Sequence, residues 1–228
     1  MKTATLEMEE FMNIDQFETQ RAEVAAVMTR LYNCRLTTTS GGNISYRLND
    51  ELFCITPSKL DKANLTKDLI AVVTMEGENL TPHLELSIES EMHRKTLLAR
   101  SDMNAVVHAH PNYASAFTAL KGKINTKLLA EAWFLLEEPA FASYARMGTD
   151  SLADVVAQMV KTNNVILMEN HGVLTVGPTL VSAFDLIEVL ENSAKMTFIT
   201  EMMALTKKWE ISALDPQRLE ELMNMKYN

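Results

Sequence analysis

The sequence predicts a mixed α/β fold in which a largely antiparallel sheet is covered by helices. Three observations lead there. Short β-branched runs recur, as in LIAVVTM (69–75), NAVVHAH (104–110) and NVILM (164–168), each with the length and composition of a strand. Between them lie stretches with apolar residues at helical spacing. The two kinds do not alternate strictly, as βαβ units building a parallel sheet would require.

Taken in order, residues 15–32 carry Phe17, Val24, Val27 and Leu31, spaced for an amphipathic helix. TTTSGGNISYRLNDELFCITPSK (37–59) reads as a polar glycine turn, a strand, a turn at Asn49-Asp50 and a second strand ending at Pro57. LIAVVTM is a third strand. Residues 86–100 read as a helix with Ile88, Met92 and Leu98 on its apolar face, NAVVHAH as a strand and YASAFTAL (113–120) as a short helix. NVILMENHGVLTVG (164–177) holds two strands joined at Glu169-Asn170-His171-Gly172, where Gly172 is expected to take the positive φ of a tight turn. From 179 to 205, Phe184, Ile187, Leu190, Ala194 and Phe198 mark one long helix. With no repeat, no linker and only 7 glycines and 6 prolines, residues 1–228 are expected to form a single domain.

Composition narrows the function. A 228-residue chain with 47% hydrophobic residues can bury a substantial core. Its net charge of −9 and pI near 5.1, with Lys and Arg dispersed, exclude a nucleic-acid groove or an anionic membrane as partner. Cys34 and Cys54 are too few for a disulfide framework and are expected to be reduced, packed thiols. The opening MKTATLEMEEFMN is acidic and lacks the apolar segment of a signal peptide, and no stretch reaches the ~18 apolar residues of a membrane span. A cytoplasmic protein is expected.

Five histidines are present. On a strand, His108 and His110 point to the same face. His171 sits in a strand-to-strand turn. Three neutral imidazoles with an open fourth position describe a catalytic zinc site, whereas structural zinc sites are closed by four ligands. Carbon chemistry at a metal also needs a proton carrier. Glu89 and His93 lie at i and i+4, on one side of the helix expected upstream.

The segments SGGN (40–43), ITPSK (55–59), SIE followed by His93, AVVHAH (105–110) and ENHG (169–172) together resemble the class II aldolase/epimerase family, which also includes the metal-free adducin head. Order and gaps agree over roughly residues 15–205, and the pattern is closest to the L-fuculose-phosphate aldolases. The resemblance implies a three-layer α/β/α sandwich around a mostly antiparallel sheet, assembled as a homotetramer with active sites at interfaces. It implies Zn²⁺, or another divalent transition metal, on His108, His110 and His171, with Glu89 as the catalytic carboxylate. Gly42, Asn43, Ser58 and Ser87 match its phosphate contacts. The implied reaction is cleavage of a phosphorylated ketose to dihydroxyacetone phosphate and an aldehyde through an enediolate.

Departures from the family pattern matter too. Lys59 stands where a glycine is usual, as a cation for a phosphate or carboxylate or as a solvated loop lysine. Ile88 replaces a serine. The tyrosine that a neighbouring aldolase subunit donates as acid would fall near Leu129 and is absent, which leaves Glu131 and Tyr227 as candidates. His83 and His93 match no ligand position and are expected to be structural. Glu rather than Asp at position 89 favours C–C cleavage over 4-epimerisation, while dehydration and decarboxylation use the same metal site. An adducin-like scaffold would have lost the ligands that this chain keeps.

Overall fold

The computed structural model describes residues 14–120 and 122–227. A 3-10 turn, Ile14–Phe17, leads into α1, Glu18–Asn33. There follow β1 (Asn43–Arg47), β2 (Leu52–Ile55), β3 (Ala71–Thr74), α2 (Ser90–Ala99), β4 (Ala105–Ala109) and α3 (Asn112–Leu120). The second half supplies α4 (Ala130–Leu136), β5 (Ala140–Ala142), α5 (Asp150–Met159), β6 (Val165–Met168), β7 (Gly172–Gly177), α6 (Leu180–Ala204) and α7 (Pro216–Tyr227). The seven strands form one sheet in the order β3-β2-β1-β4-β7-β6-β5. Every pairing is antiparallel except β5 with β6.

Strand alternation sends β4 to both faces. Ala105, Val107 and Ala109 enter a core with Val24, Met28 and Leu31 of α1, Phe117 of α3 and Phe184, Ile187 and Leu190 of α6. Val106 enters the opposite core with Met92 and Leu97 of α2 and Leu152 and Val156 of α5. The result is three layers, helices on both faces of a mixed, mostly antiparallel sheet. His108 has the parity of Val106 and faces the α2 and α5 layer. Among the described residues no helix is long and apolar enough to cross a membrane.

Four elements escape the sequence reading: α4, β5, α5 and α7. The expected helix at 86–100 is helical only from Ser90, and its buried face is Met92, His93, Thr96 and Leu97. Ile88 and Leu98 are exposed. Cys54 is buried, which pushes its thiol pKa up to about 12, but Cys34 is exposed rather than packed.

Candidate metal centre

Three segments meet at one end of the sheet: the end of β4, the β6–β7 hairpin, and the turn that enters α2. β4 delivers His108, fully buried, and carries His110 just past its last residue. The hairpin delivers His171. Positive φ falls on Asn170 (+54°) rather than on Gly172 as expected. Gly172 is required for a different reason. A Cβ there would lie 2.5 Å from His110 Cδ2, 2.6 Å from the Ala109 carbonyl oxygen and 3.3 Å from His108 Cε1. The missing side chain is what lets the hairpin close over the two histidines.

Ring centroids are 4.6 Å apart for His108 and His110, 4.8 Å for His108 and His171, and 5.7 Å for His110 and His171. Each residue offers a nitrogen, and the three all lie within 4.8 Å of one another. Glu89 completes the group, with Oε2 3.3 Å from His108 Nε2 and Oε1 2.9 Å from His171 Nε2.

Tautomers follow from the hydrogen bonds. His108 Nδ1 lies 2.9 Å from the Val173 carbonyl oxygen and must donate to it, so the lone pair of Nε2 points into the cluster. That Nε2 is buried with no hydrogen-bond partner, as are Nδ1 of His171 and Oε1 of Glu89. Burial lowers the pKa of His108, and that of His110 to about 3, with the neighbouring histidines adding to the effect at both. Burial opposes ionisation of Glu89. His108 and His171 beside it, with the Asn43 amide, more than offset that and hold the carboxyl well below the usual carboxylate range. The carboxylate therefore calls for one cation in this space. Buried imidazoles are poor carriers of a proton, while neutral imidazoles with free lone pairs are good metal ligands. The residues fit a metal ion.

Asn43 orients the carboxylate. It opens β1 directly across from His108. Its Nδ2 donates to Glu89 Oε2 at 2.9 Å and to Ser87 Oγ at 3.0 Å. Its Oδ1 accepts from His93 Nε2 at 2.5 Å, which leaves His93 Nδ1 to accept from the Ser45 hydroxyl at 2.7 Å. The chain Ser45–His93–Asn43–Glu89 is buried throughout, and burial pushes the His93 pKa down to about 3, assisted by His108. The sequence alone gives His93 only a structural role. Its i, i+4 spacing from Glu89 is the one available signal, but the link runs through Asn43 on another element.

The remaining expected site residues divide. Gly42 (φ +66°) lies beneath the cluster, and a Cβ there would meet the His108 carbonyl oxygen at 2.7 Å. Ser58 is half-buried, and its N–H donates to the Glu85 carbonyl at 2.8 Å. Ser87 is buried beside Asn43. Lys59 is exposed, with φ +57°, the backbone region where a glycine sits without strain, and pairs with Glu85 at 2.9 Å. Glu131 is an exposed carboxylate in the first turn of α4, a helix that packs on α6 and α7. Tyr227 is not on a free tail. It ends α7, and its hydroxyl donates to Glu137 at 2.7 Å. Glu137 precedes β5, whose Ala140 pairs with Ile166 near the start of β6, whereas His171 lies beyond the end of β6. Within one chain, Tyr227 is therefore at the opposite end of the sheet from the histidines.

The Class II Aldolase and Adducin N-terminal domain family matches residues 22–198. An L-fuculose phosphate aldolase of Methanococcus maripaludis is 32% identical over 179 residues, 78% of this chain and 95% of that protein. A 3-oxo-tetronate 4-phosphate decarboxylase of Haemophilus influenzae is 28% identical over 171 residues, 73% of this chain and 81% of that one. A solved L-fuculose 1-phosphate aldolase superposes with a TM-score of 0.80 at 25% identity, covering 90% of this chain and 94% of that chain. With a three-histidine cluster able to hold a metal on a sheet of this order, the chain belongs to the class II aldolase and adducin family.

Proposed function

We propose that this chain is a zinc-dependent lyase that cleaves a phosphorylated ketose to dihydroxyacetone phosphate and an aldehyde. The observation that carries the reading is the buried Glu89 carboxylate, 2.9 Å and 3.3 Å from the nitrogens of two histidines in an open three-histidine set. His108, His110 and His171 would hold the zinc, which would supply Lewis acidity for negative charge developing on the substrate oxygens. Glu89 holds and moves the proton on the carbon of the dihydroxyacetone phosphate fragment, with Oε2 fixed by Asn43 and Oε1 against His171. The Ser87 and Ser58 hydroxyls and the glycine loop at Gly42 receive the phosphate. The acid comes from Glu131 or Tyr227 of a neighbouring copy in a homotetramer, a reading supported for Tyr227 by its place at the opposite end of the sheet from the cluster. The protein acts as a single domain in the cytoplasm.

A second reading, decarboxylation of a phosphorylated keto-acid, rests on Lys59, an exposed cation of the second loop that now pairs with Glu85 and would exchange that partner for a substrate carboxylate. One experiment separates the two. Bound metal is measured in the wild type, His108→Ala and Glu89→Gln, and each is then assayed on ketose 1-phosphates for dihydroxyacetone phosphate and on phosphorylated keto-acids for carbon dioxide. We expect about one metal per chain, lost in His108→Ala, and product release that falls by a factor of about 10² or more in Glu89→Gln with metal retained. Carbon dioxide without dihydroxyacetone phosphate moves the chemistry to decarboxylation. No metal in the wild type sinks both readings.

A further inference from the structure

Lys62 is a lysine in the wrong kind of place. It is 2% exposed, in the loop that follows ITPSK. Its ammonium has three donors, and Nζ donates to the Pro57 carbonyl oxygen at 2.6 Å. Among the described residues no carboxylate pairs with it. Neighbouring Asp61 is turned the other way, accepting from Ala63 N–H and Asn64 Nδ2, and Glu85 is paired with Lys59. Burial alone, with no opposing charge, lowers the Lys62 pKa to about 8. A buried ammonium without a counter-ion is costly, and a fold that keeps one implies that the charge is met by something outside the chain.

Its surroundings say what that is. The Lys62 N–H donates to the Thr39 carbonyl at 3.0 Å, two residues before Gly41, while its ammonium holds Pro57, the residue before Ser58. Ile44 N–H donates to Thr56 Oγ1, and Thr56 N–H donates back to the Ile44 carbonyl. Lys62 thus lies where the glycine loop 39–43 and the loop 56–58 are stitched together, two segments rich in N–H and hydroxyl donors beside the histidine cluster. Neutral donors orient an oxyanion, but they do not neutralise it.

We propose that Lys62 is the buried counter-charge for the phosphate group of the substrate, acting from beneath these two loops. The inference rests on the reading of the substrate as a sugar phosphate. It makes Lys62 a binding residue, and its removal relieves an unpaired charge in the free protein instead of breaking a needed tie.

The test is inorganic phosphate titrated into the full-length, metal-loaded protein by calorimetry, with thermal unfolding in parallel, for the wild type, Lys62→Met and Lys62→Arg. Lys62→Met is expected to bind phosphate about 30-fold more weakly or worse, to keep its metal, and to unfold at an equal or higher temperature without phosphate. Lys62→Arg is expected to recover part of the affinity. A Lys62→Met protein that binds phosphate like the wild type, or loses stability without losing affinity, overturns the inference and leaves the lyase reading intact. A wild type that does not bind phosphate overturns the sugar-phosphate reading and this inference with it.

Discussion

Asn43 satisfies three buried partners at once, Ser87, Glu89 and His93, and this fixes the protonation pattern around the carboxylate. Because Oδ1 can only accept, Nε2 of His93 carries a proton, and burial keeps the ring neutral, so Nδ1 accepts from Ser45. That has a consequence for stability. The His93 pKa is about 3 in the fold and 6.5 once the side chain is solvated in the unfolded chain, so between those values the unfolded chain binds a proton that the folded chain refuses. Stability is therefore complete above pH 6.5 and falls as pH drops toward 3. In His93→Gln, whose amide can replace both hydrogen bonds, the pH slope of the unfolding free energy near pH 5 should fall by about one proton. Denaturant unfolding of the metal-free proteins from about pH 4 to 7 measures it, and identical slopes would show that His93 is not the group responsible. At this scale the sequence is legible for the side chains that the fold gathers at the cluster. Three histidines and one glutamate stand out by residue type and spacing. Asn43 is readable as a loop residue but not as the hub of the carboxylate network, because its partners lie 44, 46 and 50 residues away.

The β6–β7 hairpin shows what an element contributes. Its sequence, two apolar runs around ENHG, announces two strands and a turn, and that is how it folds. What the pattern does not reveal is which residue carries the turn's backbone and which the turn's space. Asn170 takes the left-handed conformation, and Gly172 yields room to His110 and the Ala109 carbonyl. Elements with a strong period are legible, while β5, three residues long, offers too little pattern to recognise. In α2 the apolar spacing finds Met92 but misplaces Leu98, since Met92, His93, Thr96 and Leu97 turn inward. Packing on α5 and the carboxylate network decide that orientation, not apolar spacing alone. The division of labour in the hairpin predicts opposite outcomes for two neighbours. Gly172→Ala should cost about 1–3 kcal/mol of stability, because one clash is with backbone that cannot rotate away. It should also weaken metal binding by about 10- to 100-fold through displacement of His110. Asn170→Gly should keep the metal and the fold. Metal titration of both variants checks this, and equal metal affinity in Gly172→Ala would mean that the hairpin is free to shift.

Across the whole molecule, the histidine cluster and Tyr227 sit at opposite ends of the sheet. The chain also leaves an apolar row uncovered. Phe198, Met202, Leu205 and Trp209, on the last turns of α6 and the stretch beyond, are 48%, 50%, 72% and 61% exposed. Four large apolar side chains exposed so close together in sequence, on a protein of net charge −9, point to an interface. Under the proposed assembly the two facts are one. A second copy covers the row, and a neighbouring copy brings its Glu131 or Tyr227 to the cluster. Sedimentation should then give a species of four 25.6 kDa chains. The double variant Phe198→Lys, Trp209→Lys should sediment as a smaller species, because each lysine places a solvated charge at a dry contact. The smaller species should still bind metal, since all three histidines belong to one chain, yet its kcat should fall by a factor of about 10² or more for want of the acid. A dissociated variant with undiminished kcat would locate the acid within the chain that binds the metal and remove the need for the assembly.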